Sequence, residues 1–368
     1  MDYLDSYIIK LVAIEILPAL THVINLSITQ SVFPNSWKCA KIIPLLKKGD
    51  PLISKNYRPV ALLPVFSKVL ERLIFNQVVE YLETNHLIHP NHHGARKNHS
   101  TASALIQMYD IWTNEIEKGN MVGIMMTDLS AAFDMVDHDL LLSKLKLLGL
   151  ERSVLNWFNS YLRGRSQSVM VDGCLSSAVN LECGVPQGSI LGPLLYILFT
   201  NDIPDLVHHH NIDNERPEVY CSDCGATVCY VDDSTYSVGR PDPFALSTVL
   251  TQQFKSISEY MASNKLIIND EKTHLVVLSK RNMNEKKKLV TLSAGNHIIS
   301  PSSQESLLGC TISDDLKWRN HLIGGNQSVV KQIVGRINGL SKLSTRADFR
   351  TRLVVANGVV MSKIVYLI

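Results

Sequence analysis

The chain is short of charge, of aromatic rings and of uninterrupted apolar stretches. Only 19% of its 368 residues are Asp, Glu, Lys or Arg, and 7% are Phe, Trp or Tyr. Yet 45% are hydrophobic, which is material for a core and excludes a predominantly disordered chain. Asp2 and Asp5 stand where a secretory leader carries positive charge, so none is expected. With an odd count of seven cysteines, that excludes a secreted disulfide scaffold. No apolar run is clean enough to span a bilayer. Residues 8–28 are broken by Lys10, Glu15, Pro18 and His22, and 190–199 contain Gly192 and Pro193. An intracellular protein of more than one lobe remains, with no membrane partner.

The net charge of +2 conceals a pattern. Residues 38–72 carry a local +6 and residues 317–368 a local +8, which leaves the remainder at −12. Two basic ends flank an acidic middle. Ordinary surface charge explains this, and so does a polyanion held over a centre that needs carboxylates.

Periodicity predicts helices over the first ~30 residues (interrupted at Pro18), 65–87, 101–118, 140–148, 154–162, 190–201 and 246–264. In 65–87 the expected apolar stripe is Val69, Leu70, Leu73, Ile74 and Val78. Extended segments are predicted at 39–46, 121–127, 166–171, 179–183, 228–238, 273–278, 289–299 and 307–312, with polar loops at 89–100 and 208–225. The tail from Ser328 reads as helical. The elements alternate without a βαβ period, so the fold class is α+β.

Asp128 follows the apolar strand Met121–Thr127, and Asp232 and Asp233 interrupt an expected hairpin. Adjacent carboxylates at an apolar hairpin tip repel each other and lose hydration. A solvated turn and a divalent-metal site both explain them; two Mg²⁺ ions need such hard oxygen ligands. Phe133 lies five residues after Asp128, and reads either as core or as a ring packed against a sugar with no room for a 2′-hydroxyl. The glycine-flanked loop 184–189 reads as a strand-to-helix turn or as a cradle for a nucleotide.

In combination these motifs resemble one family. Asp128 with Ala132-Phe133-Asp134, the loop Gly184-Val185-Pro186-Gln187-Gly188-Ser189, and Tyr230-Val231-Asp232-Asp233 follow the order of the palm motifs of reverse transcriptases. Trp37-Lys38, Lys47-Lys48-Gly49-Asp50, Asn56-Tyr57-Arg58-Pro59, Leu308-Gly309 and Leu316-Lys317-Trp318 resemble the flanking segments of non-LTR, LINE-type elements near the jockey group. The resemblance implies a right-hand polymerase with fingers, a palm whose antiparallel sheet carries the carboxylates, and a partial helical thumb. The implied lobes are an N-terminal helical extension (1–36), fingers (37–120), palm (121–318, with finger-like helices at 140–180 and an insertion loop at 203–227) and the start of a thumb (319–368). No endonuclease domain or terminal Cys–His knuckle is expected.

The resemblance also implies roles. Asp128, Asp232 and Asp233 would be catalytic metal ligands, with the Leu129 carbonyl completing one shell. The cofactor would be two Mg²⁺ ions, with Mn²⁺ as a substitute. Arg58, Phe133, Gln187, Gly188 and Lys272 would contact the incoming nucleotide, Phe133 as a steric gate and Lys272 as proton donor to pyrophosphate. Lys47, Lys48, Arg96, Lys317 and Trp318 would contact nucleic acid. The partners would be an RNA template, a DNA primer and a dNTP, in a nuclear and cytoplasmic ribonucleoprotein. An inactive nucleic-acid-binding remnant and an intron-maturase-like relative are the alternatives. The family usually has Gln-Phe-Gly-Phe-Arg where this chain has His92-His93-Gly94-Ala95-Arg96, and Ala where it has Val231. Cys221 and Cys224, with Cys229 and His208-His209-His210 nearby, give half a zinc spacing; with no second half, zinc is not expected.

Overall fold

The computed structural model describes residues 6–322 apart from 48, 130, 208–218, 296 and 318, together with 329, 331 and 332. The thumb expected at 319–368 therefore lies almost wholly outside the described residues. So do Lys48, Trp318 and His208-His209-His210.

The chain begins with α1 (Ser6–Leu11) and α2 (Ala13–Thr29). The break falls at Val12 and not at Pro18, which is inside α2. A proline in an early turn forfeits one backbone hydrogen bond, which a helix of this length survives. Next come β1 (Cys39–Leu46) and β2 (Tyr57–Leu62), an antiparallel pair. In α3 (Val65–Thr84) the buried stripe is Leu70, Ile74, Val78 and Leu82. Val69 and Leu73, expected in it, are 37% and 40% exposed. The buried face is narrower than the sequence pattern, its apolar members following one another at four-residue steps.

The polar segment 89–100 is no solvated loop in its first half. His89, Asn91, His92 and His93 are all buried. Backbone N–H groups of His93 and Cys229 donate to Cys229 O and Asn91 O, both at 2.9 Å, so the segment covers a sheet edge. Ser100 and Ser103 then form a capping box that opens α4 (Thr101–Glu117).

β3 (Met121–Thr127) is wholly buried. After it come α5 (His138–Leu147), α6 (Arg152–Leu162), β4 (Arg165–Val171), β5 (Cys174–Leu175), β6 (Val179–Leu181) and α7 (Leu191–Phe199). Then follow β7 (Ala226–Tyr230), β8 (Asp233–Arg240), α8 (Pro243–Ser263) and β9 (His274–Leu278). The segments expected as single strands at 289–299 and 307–312 are two hairpins, β10 (Leu292–Ala294) with β11 (His297–Ile299) and β12 (Gln304–Leu307) with β13 (Cys310–Ser313). Leu308 and Gly309 both take positive φ, the geometry of a two-residue hairpin turn.

Two sheets organise the molecule. One is antiparallel in the order β7-β8-β3-β9. The other runs β2-β1-β4-β5, with β6 also on β4, and contains one parallel pair, β1 with β4. β3 separates two cores by alternation. Met121 and Met125 join the cluster built on α3 and α5 to α8; Val122, Ile124 and Met126 join one built on α4 and the β12–β13 hairpin. Each such side chain contributes about 1.5–3 kcal/mol on burial.

Candidate active site

The register of the antiparallel sheet brings the carboxylates together. Thr127 lies opposite Ser234 and Tyr230 opposite Asp233. Asp128 thus emerges level with Asp233, and Val231-Asp232 form a two-residue turn beside them. Val231 sits at φ 57°, a strained place for a β-branched residue. Gly94 packs on it so closely that a Cβ there would lie 2.5 Å from Val231 Cγ2 and 2.8 Å from its N. On the other side Leu129 bridges Ile268, and Asn269 N–H donates to Asp128 O at 2.9 Å. The Leu129 side chain is buried, which fixes the backbone at this corner.

Crowding shows in the protonation equilibria. Burial, then Asp232 and Asp128, push the Asp233 carboxyl up to about 6. Burial and Asp128 also raise Asp232, while Arg58 and Lys47 pull it down. These two cations come from the β1–β2 hairpin of the other sheet, so the fold places Lys47 and Arg58 within electrostatic reach of the aspartates. Lys272 Nζ is 2.9 Å from Asp128 Oδ2. Both groups are solvent-accessible, so the pair contributes little to stability. Its weight is electrostatic and local.

The described residues hold no preassembled group of three His, Cys, Asp or Glu metal ligands. Mg²⁺ does not require one. It is bound through one or two carboxylates with substrate phosphates and water completing its shell. The donor set of Asp128, Asp232 and Asp233, all hard oxygens under mutual repulsion, fits that cation.

Phe133 and the loop 184–189 form the adjoining wall. Phe133 stacks on Tyr196 with ring centroids 5.0 Å apart. Val185 N–H donates to Phe133 O at 2.8 Å, and Gln187 Nε2 donates to Asp134 Oδ2 at 2.9 Å. Ala61 N–H donates to Gln187 O at 2.9 Å, which ties this loop to β2. Gly188 has φ 112°, and a Cβ there would stand 2.7 Å from Ala61 O, so glycine is required for the approach.

Other expected contacts lie elsewhere. Arg96 is committed: its guanidinium donates to both Glu83 carboxylate oxygens at 2.8 Å and to the carbonyls of His89 and His92. It clamps the 89–96 segment to α3 and is not a free cation for nucleic acid. Lys317 pairs with Asp315 at 2.9 Å. Cys221 and Cys224 border a turn before β7, where Cys221 exchanges backbone hydrogen bonds with Gly225.

Sequence reasoning missed two buried groups. Tyr196 reads as core, yet the three aspartates, after burial itself, push its phenol well above the usual range. It is the one side chain with a polar group in Leu191–Phe199, and that was the available signal. Glu71 is fully buried in α3. Its Oε1 accepts from Ser67 Oγ at 2.8 Å. Its Oε2 accepts from Ile190 N–H at 2.8 Å and Leu191 N–H at 3.3 Å. A carboxylate at the start of α7 is favoured by the helix dipole and satisfies open donors.

Residues 45–312 match the family described as "Reverse transcriptase (RNA-dependent DNA polymerase)". An RNA-directed DNA polymerase from the mobile element jockey of Drosophila funebris is 38% identical over 205 residues, 55% of this chain and 22% of that protein. The jockey polymerase of Drosophila melanogaster is 28% identical over 328 residues, 89% of this chain and 34% of that protein. The chain thus spans between about a fifth and about a third of the length of these relatives. A telomerase from Candida tropicalis, solved in complex with a TWJ fragment of telomeric RNA, shares the fold with a TM-score of 0.53 at 10% identity, over 89% of this chain and 53% of that one. No helix among the described residues is long and apolar enough to cross a membrane. The match over residues 45–312 takes in the three aspartates, Phe133 and the 184–189 loop, and the most similar relatives named above are polymerases of the mobile element jockey. The chain belongs to the reverse transcriptase (RNA-dependent DNA polymerase) family.

Proposed function

We propose that this chain is the polymerase portion of a jockey-type retrotransposon protein, copying an RNA template into DNA from a DNA primer with dNTPs. The observation that carries the reading is the meeting of Asp128, Asp232 and Asp233 at one end of a sheet, with Lys47 and Arg58 reaching them from the other. In this reading the antiparallel sheet is the palm, and the sheet of β1, β2 and β4 belongs to the fingers. The lobes have bounds near 37–120 and 121–318, with 319–368 opening the thumb.

The three aspartates, with the Leu129 carbonyl, would hold Mg²⁺, or Mn²⁺ in its place. When bound, two such ions supply an activated hydroxyl and stabilise charge on the transferring phosphate. The rest falls to the chain itself. Lys47 and Arg58 meet the triphosphate. Gln187, held by Asp134, and Gly188, pressed on β2, line the nucleotide. The Phe133 ring, braced by Tyr196, closes the space beside the sugar C2′. The primer 3′-hydroxyl loses its proton to water, and its oxygen forms a bond to the α-phosphorus as the bond to the pyrophosphate oxygen breaks. Lys272, released from Asp128 as substrate arrives, gives a proton to that leaving group. We place the protein in nucleus and cytoplasm as part of a ribonucleoprotein.

The test is primer extension on an RNA template with Mg²⁺, wild type against Asp232→Ala. We expect extension by the wild type and a loss of at least about 10³-fold in the variant. A folded wild-type protein that extends nothing overturns the proposal.

A further inference from the structure

Every residue of α7 except Pro193 is buried. Apolar burial is non-directional, so it does little to fix a helix along its own axis. Directional polar contacts at the two ends do that. At the C-terminal end Lys144 Nζ, from α5, donates to Phe199 O at 2.7 Å and pairs with Asp202 at 2.9 Å. At the N-terminal end stands Glu71 of α3, whose Oε2 accepts from Ile190 and Leu191 N–H and whose Oε1 accepts from Ser67 Oγ. An anion at the start and a cation at the end both complement the helix dipole. Arg165, 2% exposed, brings a positive charge into the same core, its guanidinium carbon 4.3 Å from the Tyr161 ring centroid. Burial and Glu71 push the Tyr161 phenol up, and Arg165 pulls it down. The reaction above uses none of these groups.

Two parts of the candidate active site depend on where α7 begins. The first is the loop 184–189. Its backbone is tied to main-chain groups at Gly184, Val185 and Gln187, and the next two residues, Ile190 and Leu191, are tied to the Glu71 side chain. A Cβ on Gly192 would lie 2.7 Å from Ser189 Oγ and 3.0 Å from Pro186 O, so the first turn of α7 and the loop pack as one piece. A shift at Ile190 therefore reaches Gln187 and Gly188. The second part is Tyr196, whose ring stacks on Phe133 with centroids 5.0 Å apart. The aspartates, by contrast, belong to β3 and the β7–β8 hairpin.

We propose that Glu71 is a positioning residue for the incoming nucleotide. By fixing the start of α7 it sets where Gln187 and Gly188 meet the nucleotide and where Tyr196 holds Phe133 beside the sugar. This rests on the polymerase reading and adds to it a buried residue that governs substrate affinity and sugar choice without touching substrate. What positions α7 is an acceptor oxygen. Glutamine supplies one, and its Nε2 can donate to the Ser67 hydroxyl; leucine supplies none.

The experiment is single-nucleotide extension on an RNA template with the dNTP titrated, for wild type, Glu71→Gln and Glu71→Leu, each also combined with Gln187→Ala. Thermal unfolding checks that each variant is folded. We expect Glu71→Leu to raise KM for the dNTP about 10-fold with kcat within about 2-fold, and to raise relative ribonucleotide incorporation several-fold. Glu71→Gln should stay within about 2-fold of wild type in all three. Combined with Gln187→Ala, Glu71→Leu should add less than about 3-fold to KM, because both act through one loop. A merely structural role leaves less active enzyme, hence a lower kcat at unchanged KM, and that result overturns the proposal. So does a KM effect that repeats in full without the Gln187 side chain, or a Glu71→Gln variant as impaired as Glu71→Leu. Should Glu71→Leu not fold, Glu71→Asp decides, because it keeps the charge but withdraws the acceptor by about 1.5 Å, one C–C bond. A raised KM in folded Glu71→Asp supports the proposal, and a wild-type KM overturns it. Failure of the polymerase reading appears separately, as no extension by wild type.

Discussion

Replacing Gly94 with alanine tests how the catalytic hairpin is held. Gly94 has no positive φ, so its backbone accepts alanine without strain. The whole effect therefore comes from the new methyl against Val231. It would lie 2.5 Å from Val231 Cγ2 and 2.8 Å from Val231 N, where ordinary contact begins near 3.4 Å. The Cγ2 methyl has little freedom, because β-branched side chains are stiff at χ1. The nitrogen is backbone and cannot turn aside, so hairpin and 89–96 segment must separate by roughly 0.6 Å. The segment is pinned by the Arg96 clamp and by the His93–Cys229 hydrogen bonding, so much of the shift falls on Asp232. Overpacking of this kind costs about 1–3 kcal/mol, and a misplacement approaching 1 Å lowers a reaction rate by up to about 10²-fold. The assay is single-turnover primer extension beside thermal unfolding, with Val231→Ala as the second site. Val231→Ala removes the Cγ2 overlap and leaves the overlap with nitrogen, so the double variant should recover part of the loss. A Gly94→Ala protein with wild-type rate and wild-type melting would refute the reasoning.

Three further outcomes follow from the packing and charge of the fold. Glu71→Leu leaves the Ile190 and Leu191 N–H groups and the Ser67 hydroxyl without their acceptor, and should cost about 2–3 kcal/mol in urea unfolding; an unchanged midpoint would show that α7 does not need the carboxylate. Burial holds His92 at about 3, with His89 and Arg96 adding to the shift and Thr200 O and Asp202 opposing it. The unfolded chain takes up that proton below about 6.5 and the native chain does not, so stability is full above 6.5 and is lost as pH falls toward 3. Between pH 7 and 5 the loss from this group is about 2 kcal/mol, and His92→Gln should flatten the profile by that amount; equal slopes would exclude the assignment. Phe133→Ala removes the ring braced on Tyr196 and should admit ribonucleotides, raising their relative incorporation by about 10²-fold or more; unchanged sugar discrimination would remove Phe133 from the gate.

The aspartates were legible in the sequence because carboxylates in apolar strands have few inexpensive explanations. The hairpin at 226–240 was legible for the same reason. Glu71, Tyr196 and Arg165 were not. Each sits in a helix or strand whose periodicity says only that it is buried, and each takes its meaning from groups distant in the chain. Glu71 meets Ile190 across 119 positions. The segment 89–96 misled in the opposite sense. Its histidines and asparagine read as solvated, but their polar atoms meet buried partners elsewhere in the fold, as where His93 Nε2 meets Gln107 Oε1 of α4 at 2.6 Å and His92 Nε2 meets Thr200 O at 3.0 Å. Local pattern reports the period of burial; it does not report the partner that makes a buried polar group affordable.

β3 has a consequence for how the gene tolerates change. Its odd and even positions feed different cores, Met121 and Met125 one, Val122, Ile124 and Met126 the other. Exchanging one apolar residue for another of similar volume disturbs only one core. Losing or gaining a single residue between 121 and 127 hands every following side chain to the wrong one and turns Asp128 away from Asp233. Evolution can therefore alter the spelling of this strand, but its length is fixed by two cores and an active site at once.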